Sequence, residues 1–593
     1  MTFAFVLAAQ LVAAPPPVVP QSLAETAAMR AAASLTRSTR AAGGRFLTTA
    51  ERSAFTETGS YDEAVAFYRQ LEKSSPYAHL AKIGETAEGR PLYVLICSKE
   101  RAFTAVAARR TGKPVILLQN GIHAGENGGK DAAMMLLRDV LVTRRYAAWL
   151  DKVIILSIPV FNADGHERVS PYNRINENGP ARMGFRVTAT RLNLNRDYLK
   201  ADAPEMRAWI GLYRAWLPDL LIDNHVTDGG DAQYDVTLAT HTEQDIAAPV
   251  GAWVKQQYLP NLMTGLEKLG HVVGFYTEGR GPVLPIMTAT PRYSTGYAAA
   301  RNRAALLVET HSLKSFKTRV WSHYDIMRAS IDLMDASLRR ASLEADRLQT
   351  AVKTGEPVFL EGKPGGPPER YLSRQVEFTE VPSPITGGSV RRYTSTPKDV
   401  EVTIQRGLDV KFAPAAPAGY LVPRQWREVI ALLKLHGIQM EELPRQIEGD
   451  FEVLRLDETR FSTAPFEGRF QVTGFTPKTI RQHQVIPAGS VWVPVAQSAG
   501  KLAMHMLEPE APDSLLKWGF FASISEQKEY FSDFLFEPYA RAMLAADPAL
   551  KAEFEALKES RPRARLQWLY EHSPYHESDK DVYPALRLNK RPW

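Results

Sequence analysis

A chain of 593 residues is longer than one ordinary core accommodates, so two or more domains are expected. Its content, 45% hydrophobic and 23% charged, is that of a folded globular protein, and a net charge of +6 dispersed over 72 basic and 66 acidic residues is too diffuse to indicate a nucleic-acid partner. A single cysteine, Cys97, excludes an internal disulfide framework and reads as a buried strand thiol.

The chain opens on a short apolar stretch, Met1 to Ala14, followed by Pro15-Pro-Pro17. It is too short to anchor in a bilayer, and residues 1–20 read as a secretory signal peptide, although no Lys or Arg precedes the apolar part. Export, to a periplasm or outside the cell, follows from that reading. No other run reaches the roughly 18 apolar residues of a membrane span. Residues 21–57, rich in Ala, Thr, Ser and Arg, read as a leader. Helical spacing begins at Ser60, with Asp62 as a candidate N-cap. Apolar runs at 92–97, 115–118, 153–159, 220–223 and 305–309 predict strands, and helical spacing falls at 129–141, 203–216, 247–269 and 326–353. Strands alternating with helices of this length predict an α/β sheet covered on both faces. A Pro/Gly-rich stretch at 355–369 predicts a boundary between a domain of residues 58–354 and a C-terminal accessory domain, 355–593. There, alternation at 400–404 and 470–474 suggests a β-rich region. Helices are predicted at 424–436, closed by Gly437, and at 528–546 and 549–560.

Three apolar runs end in residues with metal chemistry. His123 and Glu126 follow the run at 115–118, His225 ends the run at 220–223, and Glu309 ends the run at 305–309. In an open α/β sheet, ligands collect beyond the carboxyl ends of the strands. His123, Glu126 and His225 form a His₂Glu set with a fourth position open, the pattern of a catalytic zinc, and Glu309 is then a nearby carboxylate able to take a proton from water. Gly121, Gly125, Gly128 and Gly129 permit the tight turns that this requires. The alternatives are plain: loop residues for His123 and Glu126, a strand-end ion pair for Glu309. His166, His241, His271 and His311 rival His225, and His311 is the strongest of them.

The constellation resembles the M14 (carboxypeptidase A-like) zinc metallopeptidase family over about residues 58 to 345. His123, Glu126, His225 and Glu309 match its motifs in order, Asn195-Arg196 its Asn-Arg pair, and Asn162-Ala-Asp-Gly165 its N-P-D-G-like turn. The resemblance implies a mixed, mostly parallel sheet flanked by helices and one zinc ion per chain. It also implies Glu309 as general base, and Arg196 with Asn195 as the clamp for a substrate's terminal carboxylate. Arg186 resembles the arginine that stabilises the oxyanion, with Arg182 and Arg191 as rivals. Tyr293 resembles the tyrosine that closes over substrate, with Tyr297 as rival. Ala299, Arg301 and Arg303 are candidates for the base of the specificity pocket. One position departs: better-known members brace the first zinc histidine with an Asp, where this chain has Asn193. The reading is a zinc metallocarboxypeptidase acting on peptides with a free C-terminal carboxylate. A zinc amidase, deacylase or cell-wall peptide hydrolase on the same fold, and a non-catalytic peptide-binding module, are the alternatives.

Overall fold

The computed structural model describes residues 44, 46–279, 281–557 and 561–593. The predicted signal peptide and the leader up to residue 43 lie outside the described residues. Further along the leader, the one-turn helix Thr49–Arg52 packs on the body and carries Glu51, buried and paired with Arg138 at 2.7 Å. The helix Tyr61–Ser74 is capped by Ser60 in a reciprocal box with Glu63, so Asp62 is not its N-cap. Ser60 holds extended backbone and can reach the N3 amide, while Asp62 already lies within the helix.

Among the described residues, nine strands precede residue 311: β1 (Ala78–Glu85), β2 (Pro91–Cys97), β3 (Val115–Asn120), β4 (Ile154–Ile158), β5 (Leu220–Val226), β6 (Val236–Thr240), β7 (Val273–Phe275), β8 (Val283–Pro285) and β9 (Ala304–Thr310). All but β8 form one sheet in the order β1-β2-β4-β3-β5-β9-β6-β7. The centre, β4-β3-β5-β9, is parallel, whereas β1, β2 and β6 join antiparallel. Every residue of β3, β4, β5 and β9 is buried, which is why these strands appear in the sequence as unbroken apolar runs.

Alternate side chains feed two cores. Ile116, Leu118, Ile222 and Leu306 meet the helices Gly128–Leu141 and Phe316–Leu333 on one face. Leu117, Leu156, Leu221 and Ala305 meet the helix Pro204–Trp216 on the other. That second core continues past residue 354, through Tyr420, Leu502, Met506 and Trp518. The predicted helix at 326–353 is two helices, Phe316–Leu333 and Ala336–Thr350. The chain turns extended at Met334, and Asp335 caps the second through the Ser337 amide. The span predicted as helix 247–269 is helical from Ala248 to Lys268 with a π-turn at Val254–Tyr258.

The C-terminal region is β-rich. It contains β10 (Glu361–Gly365), β11 (Glu369–Pro382), β12 (Ser389–Gln405), β13 (Gly407–Phe412), β14 (Gly419–Val422), β15 (Glu441–Glu442), β16 (Ile447–Phe461), β17 (Val472–Ile486), β18 (Val491–Pro494) and β19 (Leu586–Leu588). The Pro/Gly-rich stretch read as a linker holds β10, which pairs with β13. β8 leaves the main sheet to run parallel beside β12. β16 and β17 form a long two-stranded ribbon. No described helix is long and apolar enough to cross a membrane.

His271 is buried between two carboxylates, with Asp325 Oδ2 2.9 Å from Nε2 and Asp235 Oδ2 3.6 Å from Nδ1. Burial pulls its pKa down, but the two aspartates outweigh burial and set it at about 9, above the ordinary 6.5. A folded-state pKa raised in this way stabilises the fold fully below the unfolded value and is lost as pH rises through about 9. The rise corresponds to roughly 3 kcal/mol. Wild-type melting temperature should therefore fall between pH 6.5 and 9 more steeply than that of His271→Asn. Parallel curves for the two proteins would show that the charged imidazole adds nothing.

Candidate active site

The carboxyl ends of β3, β5 and β9 lie side by side and carry the site. β3 ends at Asn120, and Gly121 takes a left-handed turn, φ +64°, that redirects the chain toward His123 and Glu126. β5 brings His225, and β9 places Glu309 directly opposite it, since the two are register partners in the parallel ladder.

His123 Nδ1, His225 Nδ1 and the Glu126 carboxylate converge. The two Nδ1 atoms are 3.2 Å apart, Glu126 Oε1 is 2.9 Å from His123 Nδ1, and Glu126 Oε2 is 3.2 Å from His225 Nδ1. Ligand atoms from all three residues lie within 4.8 Å of one another, and all three residues are buried. The Nε2 atoms face the other way. His123 Nε2 is 3.2 Å from Asn193 Oδ1, and His225 Nε2 is 2.8 Å from Asp223 Oδ2, an ion-pair contact rather than an aligned hydrogen bond. Each imidazole thus has one nitrogen turned inward and the other oriented by a neighbour, the arrangement of a metal-binding histidine. Two imidazoles and a carboxylate suit a borderline cation such as zinc.

Electrostatics separate the members of the set. Burial lowers the His123 pKa to about 4, so its ring is neutral. Burial opposes charge on Glu126 too, yet His123 and Arg174 hold its pKa well below the usual carboxylate value. His225 is buried as well, but Asp223 and Glu126 hold it well above the usual imidazole value. Glu309 is pushed up to about 8, first by burial and then by Glu126, Asp223 and Asp228, against the pull of His225. Its Oε2 is buried without a hydrogen-bond partner among the described residues.

Arg196 stands with its guanidinium 4.4 Å from the Tyr293 ring centroid, and no carboxylate of the described residues lies within 4 Å of it. Its Nη1 bonds the Asn195 carbonyl at 2.6 Å. Asn195 Oδ1 accepts the Ser294 amide at 3.3 Å, which joins the Asn195-Arg196 loop to the segment carrying Tyr293. Asp197 fastens the far side of that loop by accepting the Ala203 amide and Lys200 Nζ. Of Arg182, Arg186 and Arg191, Arg186 is the one within 4 Å of Glu126, at 3.5 Å, with a side chain 38% exposed. Arg182 and Arg191 are exposed. Tyr297 is buried and bonds His436, inside the aromatic core of Tyr198, Trp209 and Tyr213.

The other candidates lie in structural contacts. His311 Nε2 accepts the Ala232 amide, His241 accepts the Ala305 amide, and His166 contacts Glu167. Arg301 bonds the His436 carbonyl, and Arg303 pairs with Asp346. Ala299 is buried beside a small cavity that Lys501 and His505 also line. The Asn162–Gly165 turn is the start of a short helix, Ala163–Glu167, with Asn162 capping Gly165 N at 3.0 Å.

Asp223 and Arg174 complete the surroundings of this set. Asp223 lies two residues before His225 on one strand, and that spacing puts both on the same face. Arg174 donates to Glu126 Oε1 at 2.6 Å and pairs with Glu177. A Cβ on Gly125 would stand 2.5 Å from Arg174 Cγ, so Gly125 is the residue that admits this arginine. No local spacing announces Arg174, which is 48 residues from Glu126.

A buried His-Glu-His set at strand ends, with a carboxylate on the adjacent strand, is the arrangement of a metallohydrolase. The zinc carboxypeptidase family model (Peptidase_M14) matches residues 64–210, which include His123, Glu126, Asn195 and Arg196. Carboxypeptidase 2 of Trichophyton equinum is 22% identical over 468 residues, covering 76% of this chain and 82% of that protein. Carboxypeptidase A4 of Mus musculus is 31% identical over 133 residues, 21% of this chain and 30% of that protein. The structure of carboxypeptidase A from Helicoverpa armigera aligns with a TM-score of 0.36 at 16% identity, over 54% of this chain and 81% of the other. The chain is a metallopeptidase similar to the zinc carboxypeptidases, which the family model matches over residues 64–210.

Proposed function

We propose that this protein is a zinc-dependent metallocarboxypeptidase that hydrolyses the C-terminal bond of peptides with a free terminal carboxylate. The observation that carries this reading is the convergence of His123 Nδ1, His225 Nδ1 and Glu126, with Glu309 register-paired to His225 on the next strand. The three convergent residues would hold one zinc ion. Zinc, when bound, supplies Lewis-acid chemistry, polarising the scissile carbonyl and bringing the pKa of water from 15.7 to about 7.

The remaining steps belong to the chain's own residues. Arg196 and Asn195 orient the substrate by its terminal carboxylate, as a planar guanidinium is shaped to do. Tyr293, against Arg196, covers that end of the substrate. Glu309 takes a proton from the attacking water and delivers it to the leaving amine. A buried carboxyl among other negative groups holds such a proton between the two transfers. Arg186, partly exposed at the edge of the ligand set, stabilises the developing oxyanion.

Wild-type protein reconstituted with zinc and dialysed should retain about one equivalent per chain, and His123→Ala should retain almost none. Elemental analysis checks this. Wild type without metal after reconstitution would remove the zinc reading. Retained metal without hydrolysis of any peptide would favour the non-catalytic binding module.

A further inference from the structure

The C-terminal region reaches the substrate side of the site at two points. The first is the tip of the β16–β17 ribbon. Phe466 and Arg469 exchange backbone hydrogen bonds at 2.9 and 3.1 Å, leaving Glu467-Gly468 as a two-residue turn. Both turn residues have positive φ, +48° and +83°. Such turns favour Asn, Asp or Gly at the first position, and a glutamate there is strained by about 1–2 kcal/mol. Strain of this kind persists where the surroundings impose it, and it gathers at functional sites.

The strained glutamate points at the candidate clamp. Glu467 Oε2 accepts the Asn193 amide at 2.8 Å. Asn193 Oδ1 in turn takes the Asn195 amide at 2.9 Å and faces His123 Nε2 at 3.2 Å. The tip is seated firmly beside this loop. Phe466 stacks on Trp518 with centroids 6.1 Å apart, and Arg469 makes two bonds to Asp202 at 2.8 and 2.7 Å. The second point is Asp513, which accepts the Arg292 amide at 2.8 Å, one residue before Tyr293. Trp518 also faces the Arg292 guanidinium at 4.9 Å. Both loops of the candidate substrate site, 192–197 and 292–294, are therefore tied to residues beyond 460.

We propose that Glu467 is a positioning residue for the substrate clamp. Through Asn193 it fixes the loop that presents Asn195 and Arg196, so the β16–β17 ribbon forms part of the peptidase site. This rests on the reading of Asn195-Arg196 as the clamp for a free carboxylate.

Three variants test it. Glu467→Gly suits the left-handed turn, so it should melt at or above the wild-type temperature while losing the acceptor. It should raise KM for a free-acid peptide about tenfold with kcat little changed, in line with one lost hydrogen bond to a charged group. Glu467→Ala should raise KM similarly. Glu467→Gln keeps an acceptor and should restore KM to within about threefold of wild type. In metal-free protein, amide hydrogen exchange across residues 188–200 should speed up in Glu467→Gly and stay slow in Glu467→Gln. Wild-type KM and wild-type exchange in Glu467→Gly would overturn the proposal. Faster exchange in Glu467→Gly, with a wild type that cleaves amidated and free-acid peptides equally, would overturn the clamp reading and the proposal with it.

Discussion

Glu309→Gln is expected to bind zinc and substrate as wild type does and to lose about 10²–10⁴-fold in kcat, the usual contribution of a positioned general base. The amide is isosteric with the carboxyl, so the packing around β9 should not change. What changes is that an amide accepts no proton at neutral pH. The expectation rests on backbone register: Glu309 faces His225 across the parallel β5–β9 pair, where side-chain atoms of His123, Glu126 and His225 converge. Its Oε2 has no competing hydrogen bond among the described residues. The check is a set of three measurements: metal content, KM and kcat. A variant with intact metal and a kcat within about threefold of wild type would remove Glu309 from the base role. A variant that loses metal as well would show that Glu309 supports the ligand set instead.

What could be read from the sequence, and what could not, follows from how local each signal was. β3, β4, β5 and β9 were legible because a parallel strand buried on both faces is written as an unbroken apolar run. The residues at their ends were legible for the same reason, since a His or Glu closing such a run is conspicuous. β1 was not legible. It lies at the sheet edge with mixed exposure, and its run Ala78–Glu85 shows no clean alternation. The break at Met334–Asp335 is hidden because Asp335-Ala-Ser337 is a short capping signal inside a long helical pattern. β10 reads as linker because Pro364, Gly362 and Gly365 weigh against a strand, and only its pairing with β13 makes it one.

The site shows the same division. His123 and Glu126 are three residues apart and could be paired by spacing. Arg174 and Glu467 join the site through tertiary contacts, whereas Asp223 joins it by its two-residue strand spacing from His225. Glu467 is 274 residues from Asn193, the group it holds. The replacement at Asn193 also acquires a physical sense in the structure. The neutral amide faces the buried, neutral His123, while a carboxylate, Asp223, stands at the outer nitrogen of His225. His225 therefore has a charged neighbour where His123 has a neutral one. A carboxylate there raises the ligand's basicity and fixes its ring.

Arg196→Ala is expected to cost about 10²-fold or more in kcat/KM on a peptide with a free C-terminus. A fork of two parallel bonds to a carboxylate is worth about 1.5–3 kcal/mol per bond, and alanine keeps neither. The expectation rests on the surroundings of Arg196. Its guanidinium rests 4.4 Å from the Tyr293 ring, with no carboxylate of the described residues within 4 Å. An arginine already paired would have to break that pair first, as Arg303 would have to leave Asp346. The loss should be selective. A peptide ending in an amide never presents the charge, so wild type should cleave it poorly and Arg196→Ala should cleave it no worse. The ratio of free-acid to amidated kcat/KM should therefore collapse toward one in the variant, with zinc content unchanged. Wild type that hydrolyses amidated or internal bonds as readily as free-acid peptides would show that Arg196 recognises something other than a chain terminus. The site would then be that of an amidase or endopeptidase, with the ligand set of His123, Glu126 and His225 unaffected by the correction.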